Sequence, residues 1–98
     1  MPEMFFTVRW PDLTITDCYS PSTIVKEYFA EGQSYPLPEF VARSRNALTM
    51  ASERVRNKYG YACSSALDQL YQIEHHAKKF SDLSDPLVVV ENFCKHFS

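Results

Sequence analysis

Apolar residues alternate with polar ones at the start of the chain: Met4, Phe6, Val8 and Trp10 share one parity, and Phe5, Thr7 and Arg9 the other. A period of two marks an extended strand with one face covered. The alternation resumes after Pro11-Asp12, with Leu13, Ile15 and Tyr19 on one side and Thr14, Thr16 and Cys18 on the other. The two runs therefore predict an antiparallel β-hairpin over residues 1–20. Pro11 and Asp12 suit the central positions of a type I turn, and the position after them wants left-handed backbone, which glycine adopts most easily. Leu13 stands there instead. A lone two-stranded ribbon is marginal in water, so its apolar faces need cover from the rest of the chain or from a second copy.

Beyond Tyr19 the period lengthens. Ser20-Pro21 reads as a hydroxyl cap followed by a proline in the first helical turn, and Ile24, Val25, Tyr28 and Phe29 then form one short apolar face that Gly32 ends. Residues 33–38, with two prolines, read as a loop. From Glu39 to Tyr59 the helical signal is strongest: Phe40, Val41, Ser44, Ala47, Leu48, Ala51, Val55 and Tyr59 fall in one sector of a helical wheel. Gly60 supplies a left-handed stop. A second long helix is predicted from Cys63 or Ser64 to Phe80, with Ala66, Leu67, Leu70, Ile73, Ala77 and Phe80 on its inner side. The short link predicts an antiparallel helix pair. Ser84-Asp85-Pro86 again resembles a helix start, and Leu87, Val90, Phe93, Cys94 and Phe97 cluster on a helical wheel. The run Val88-Val89-Val90 argues for a strand instead.

These elements predict a single α+β domain over residues 1–98, an N-terminal two-stranded antiparallel β-hairpin packed on a bundle of three to four helices. Its parts are the hairpin (1–20), a helical body (21–80) and a C-terminal helix (81–98). In 98 residues a large internal cavity is hard to accommodate. The hydrophobic fraction of 45%, with 14% aromatics and only two glycines, describes a well-packed globule with aromatic side chains to spare for a partner. Ten basic and twelve acidic residues give a net charge of −2, so no global field draws nucleic acid or anionic lipid. No stretch is long and apolar enough for a membrane span, and Met1-Pro2-Glu3-Met4 lacks the basic and apolar regions of a signal peptide. A cytoplasmic setting is therefore expected. Cys18, Cys63 and Cys94 are odd in number, widely spaced and without a C-x-x-C pair, which suits buried or partly buried thiols better than a metal or redox site.

Three groups of residues could carry chemistry. Arg43, Arg45, Arg54, Arg56 and Lys58 lie on the long helix, but Arg43 and Arg54 fall on one shoulder of the apolar stripe and Arg45 and Arg56 on the other. One groove of a nucleic acid engages only one pair. Glu74-His75-His76 lacks the spacing of three or four that a helical zinc pair needs, so a solvated face is expected there. Ser34 and Tyr35, in the loop after Tyr28-Phe29, have no nearby base to activate a nucleophile.

Met1-Pro2-Glu3-Met4, Val8-Arg9-Trp10-Pro11-Asp12, Cys18-Tyr19-Ser20-Pro21-Ser22, Ser34-Tyr35-Pro36-Leu37, Phe40-Val41-Ala42-Arg43-Ser44-Arg45, Ala51-Ser52-Glu53-Arg54-Val55-Arg56 and Lys58-Tyr59-Gly60 carry a resemblance that runs in order from residue 1 to about 75. Together they resemble a small bacterial nitrogen starvation response family whose genes recur beside a nitrilase in a multi-gene cluster. The resemblance implies nitrogen limitation, a nitrilase neighbour and the cytoplasm; it carries over no catalytic residue. The expected function is that of a non-enzymatic accessory or interaction protein, most simply a homodimer with a protein partner from the same cluster, using neither cofactor nor metal. Two other classes stay open, a small nucleic-acid-binding regulator and a minor enzyme of nitrile metabolism. Arg9, Trp10, Arg43 and Arg54 are the candidate partner-binding residues, because Trp and Arg anchor interfaces most often. Trp10 has two readings, an exposed anchor at the hairpin tip or a lid folded over the core.

Overall fold

The alternating opening does form the expected hairpin. A computed structural model describes residues 4–60 and 64–95, and in it β1 (Met4–Arg9) pairs antiparallel with β2 (Ile15–Ser20), Met4 opposite Ser20 and Arg9 opposite Ile15. Met4, Phe6, Val8 and Trp10 are all buried, so the even parity faces the core. The turn between the strands is closed by the Leu13 N–H donating to the Trp10 carbonyl at 2.8 Å, and Leu13 takes a φ of 71°. An L side chain is strained in that left-handed region.

The hairpin is half of a larger sheet. After a 3-10 turn at Thr23–Glu27 come β3 (Gln33–Pro36), α1 (Leu37–Tyr59), α2 (Ser64–Ala77), a second 3-10 turn at Lys78–Phe80, and β4 (Leu87–Lys95). The strands lie in the order β2-β1-β4-β3, each antiparallel to its neighbours. The expected C-terminal helix over 81–98 is thus replaced, over 87–95, by a strand that bridges β1 and β3. Val88 and Val90 are fully buried against the helices, and the β-branched run packs better on a pleated surface than in a helix. The three-to-four-helix bundle is likewise replaced by two α-helices on one face of a four-stranded sheet, and part of the loop expected over 33–38 is β3.

Local chemistry explains the other departures. The serine that caps is Ser22, whose side chain accepts from the Ile24 N–H, and the element it caps is a 3-10 turn. Ser20 is buried and donates its hydroxyl proton to the Ser22 carbonyl at 2.6 Å. Gly32, at φ 75°, turns the chain so that its N–H reaches the Val90 carbonyl at 2.7 Å and launches β3 along β4. β4 changes register between the positions facing Thr7 and Val8, a bulge that leaves Glu91 without a partner residue on β1. It lets Val90 and Phe93, three apart, both face the core side.

α1 lays Leu37, Phe40, Ser44, Ala47, Leu48, Ala51 and Ser52 inward, close to the expected stripe. Gly60 ends the helix at φ 85°, its N–H donating to the Arg56 carbonyl. At the far end of the helix pair, however, Tyr59 and Leu67 are exposed, because the sheet does not extend beneath them. The β2 edge and the flank of β4 beyond the end of β3 are each partly covered by a side chain: Gln69 of α2 accepts the Tyr19 N–H at 3.0 Å, and Glu31 accepts the Phe93 N–H at 2.9 Å.

Candidate functional site

A groove of about 660 Å³ lies between the N-terminal turns of α1, the C-terminal turns of α2 and the link into β4. Helix periodicity builds it. Leu37, Val41 and Arg45 recur every four residues along α1, and Tyr71, Glu74, His75 and Lys78 line the facing side of α2 and its 3-10 extension. Leu83 and Pro86 close the end, and Leu83 is half exposed. Its floor is thus aliphatic and its rim charged. Across it, the Arg45 guanidinium donates twice to one Glu74 carboxylate oxygen, from Nε at 3.0 Å and from an Nη nitrogen. Tyr71 and His75 stack at 6.1 Å on the outer lip. A volume of this size falls within the range of ligand sites, and the shape also suits an inserted apolar side chain of a partner.

The candidate residues taken from the sequence are not gathered into one site. Trp10 is only 2% exposed and lies in an aromatic cluster, edge-on to Phe40 at 5.5 Å, stacked on Phe80 at 5.9 Å and tilted against His76 at 4.4 Å. Of its two readings the lid is the one seen, with the lid closed over both helices. Arg9 projects from the opposite face of the sheet and pairs with Glu91 at 3.0 Å, the residue set apart by the β4 bulge. Arg43 sits on the other shoulder of α1, donating to the Tyr28 carbonyl at 2.8 Å, lying over the Tyr35 ring and facing Glu39. Arg54 is exposed, about three turns further along the same side of α1. The two shoulders of basic residues expected from the sequence are therefore real, and Arg43 and Arg45 each engage a local partner.

On the helical wheel His75 takes the solvent face and His76 the boundary, and His75 is exposed. His76 is half-buried because the hairpin tip folds down onto α2 and sets Trp10 against it; the signal for this was the unusually long apolar parity of β1 ending at Trp10. Burial, with Lys79 nearby, pulls the His76 pKa below its ordinary value, and Asp12 opposes the effect. Hydrogen bonds from the Thr14 hydroxyl and N–H lower the Asp12 carboxyl. Cys18 is buried as expected, and desolvation, reinforced by Asp17, pushes its thiol up to about 12, a protonated and unreactive group at neutral pH. Cys94 is exposed, against expectation, since β4 turns it to the open face of the sheet; Cys63 lies outside the described residues. Among the described residues no cluster of His, Cys, Asp and Glu is arranged to hold a metal ion.

A family profile described as nitrogen starvation-induced protein NitG matches residues 5–93, nearly the whole chain. The chain belongs to this family. Every described strand and helix lies wholly or almost wholly inside the match, so the four-stranded sheet with two helices is the architecture that this NitG family member adopts. No curated protein and no solved structure matches the chain. Among the described residues, no helix is long and apolar enough to cross a membrane.

Proposed function

We propose that this NitG family member is a non-enzymatic accessory protein of the nitrogen-starvation response, which works by docking a protein encoded in the same nitrilase-associated gene cluster. The observation that carries the reading is the groove: an aliphatic floor from Leu37, Val41 and Leu83 beneath a charged rim formed by Arg45, Glu74 and Lys78. An apolar pocket ringed by polar groups is the usual seat of an interface anchor. The basic residues support contact with protein over nucleic acid, since Arg9, Arg43 and Arg45 are each paired with a carboxylate. Leu83→Asp tests the groove. Leu83 sits half exposed in the link before β4, so the expected outcome is loss of the captured partner from nitrogen-starved extracts, identified by mass spectrometry, with a melting temperature within a few degrees of the parent. A variant that still captures the same partner would refute this use of the groove.

The same reading includes a homodimer built on the sheet's open face. Phe5 and Tyr19 stack edge-on there at 5.8 Å, and Ile15 and Leu87 are more than half exposed. Such a face suits a two-fold, self-complementary contact. Light scattering at high micromolar concentration should return twice the mass of one chain, and Ile15→Lys should return the mass of one.

A further inference from the structure

The face of the sheet turned away from the helices carries one ion pair near its middle. Arg9 stands on β1 and Glu91 on β4, the two central strands in the order β2-β1-β4-β3. Glu91 owes its place to the β4 bulge, which leaves it without a partner residue on β1. The closest approach of the two is Arg9 Nε to a Glu91 carboxylate oxygen at 3.0 Å. The two terminal amino groups of Arg9 donate no hydrogen bond among the described residues. The side chains are 45% and 28% exposed, so water reaches both.

In the separate chain, water satisfies these groups and the pair contributes little to stability. Covering the face changes this. A guanidinium shut away from water with unfilled donors is costly, and its fork of N–H groups is filled best by a carboxylate. A partner that is apolar at this point would bury Arg9 with its terminal amino groups unmet. A second copy brings what is needed, because each copy holds a cation and an anion side by side: its Glu91 can meet Arg9, and its Arg9 can meet Glu91. The exposed apolar residues Ile15 and Leu87 lie on the same face and would be covered in the same contact.

We propose that two copies pack about a two-fold axis along the seam between β1 and β4, and that Arg9 of each copy binds Glu91 of the other. This rests on the open-face homodimer of the proposed function, and it names the residues that set its register. Such an axis lays β4 of one copy over β1 of the other at the usual sheet separation of about 10 Å, which an arginine and a glutamate span together. Symmetry makes the exchange reciprocal, with two pairs per dimer. Asp17, another acid of this face, stands on the edge strand β2, where its carboxylate already accepts the Thr7 hydroxyl at 2.8 Å. The bulge thereby serves recognition: it sets a carboxylate on a central strand beside the arginine.

The test mixes two charge reversals of the full chain, Arg9→Glu and Glu91→Arg, and follows assembly by native mass spectrometry, which resolves the two chains by mass. Alone, each variant sets like charges face to face across the axis and should self-associate at least about tenfold more weakly than the parent. Mixed in equal amounts, they should recover dimers holding one chain of each kind, with an affinity near the parent's. A pair that stays within each chain predicts no recovery, because each variant then carries its repulsion inside itself. The parent supplies a second measurement that needs no substitution and decides the matter when a variant does not fold. In a mixture of isotope-labelled and unlabelled parent chains, filtered NMR spectra should show contact between the Arg9 side chain of one copy and Glu91 of the other. A dimeric parent without that contact would overturn the exchange alone, as would folded variants that self-associate like the parent or fail to recover on mixing. A parent with the mass of one chain at high micromolar concentration would overturn the homodimer and the exchange together.

Discussion

Trp10 illustrates what one residue's sequence position conceals. Its parity with Met4, Phe6 and Val8 places it on the core face, and that much was legible; its place at a hairpin tip suggested exposure, and the tip is covered only because α2 and Phe80 rise to meet it. Trp10→Ala would empty the centre of the aromatic cluster and strip Phe40, Phe80 and His76 of their common neighbour. The expected loss is about 3–5 kcal/mol of folding stability, read as a lower denaturation midpoint with an unchanged slope. A variant that melted with the parent would return Trp10 to the surface anchors. The Trp10 contact of His76 was illegible for a related reason: a helical wheel shows that His76 takes the boundary of α2, and says nothing of a strand that arrives from far away in sequence.

At the scale of elements, the two α-helices were legible because a wide apolar stripe repeats along each and α1 is closed by a left-handed Gly60. β4 was not, because Leu87, Val90, Phe93 and Cys94 satisfy a helical wheel while Val88, Val89 and Val90 satisfy a strand. The bulge is the physical source of the confusion: it gives a strand the three-residue spacing of a helix between Val90 and Phe93. The β1–β2 turn offers a direct test at this scale. Leu13 is held at φ 71° with its side chain 73% exposed, so the left-handed strain there is not offset by burial. Leu13→Gly should raise stability by about 1 kcal/mol, the relief of that strain less the extra entropy of an unfolded glycine, measured by denaturant unfolding. A loss of stability would mean that the side chain makes a contact worth more than the strain.

At the scale of the whole molecule, the seam between hairpin and helices couples stability to pH. His76 has a pKa lowered from 6.5, so the folded state favours the neutral ring, and the unfolded chain takes up the proton first on acidification. The stability this ring supplies is present above 6.5 and declines as the pH falls from there through its folded value. Asp12, also lowered, has the same sign but acts only below its ordinary 3.8, and Lys79 and His75 are the other charged groups facing the ring. The melting temperature should therefore fall between about pH 7 and pH 5, and His76→Phe should flatten that decline. An unaltered slope in the variant would assign the acid sensitivity elsewhere. The α+β class and the membership of a nitrogen-starvation family were legible in the sequence. The groove was not, since it depends on how α2 is set against α1 and on the path of residues 81–86, which no local period encodes.

The central pair of the sheet joins the first described strand to the last. While the chain is being made, β1 emerges early, with one long flank of backbone groups and the apolar parity from Met4 to Trp10 unprotected, and its second neighbour does not exist until β4 has been synthesised. The sheet therefore cannot be completed until β4 arrives, and it closes by a pairing of high sequence separation, which is slow. In that interval the hairpin is a nascent segment prone to pair with other strands, and any condition that slows translation near residue 87 prolongs the exposure.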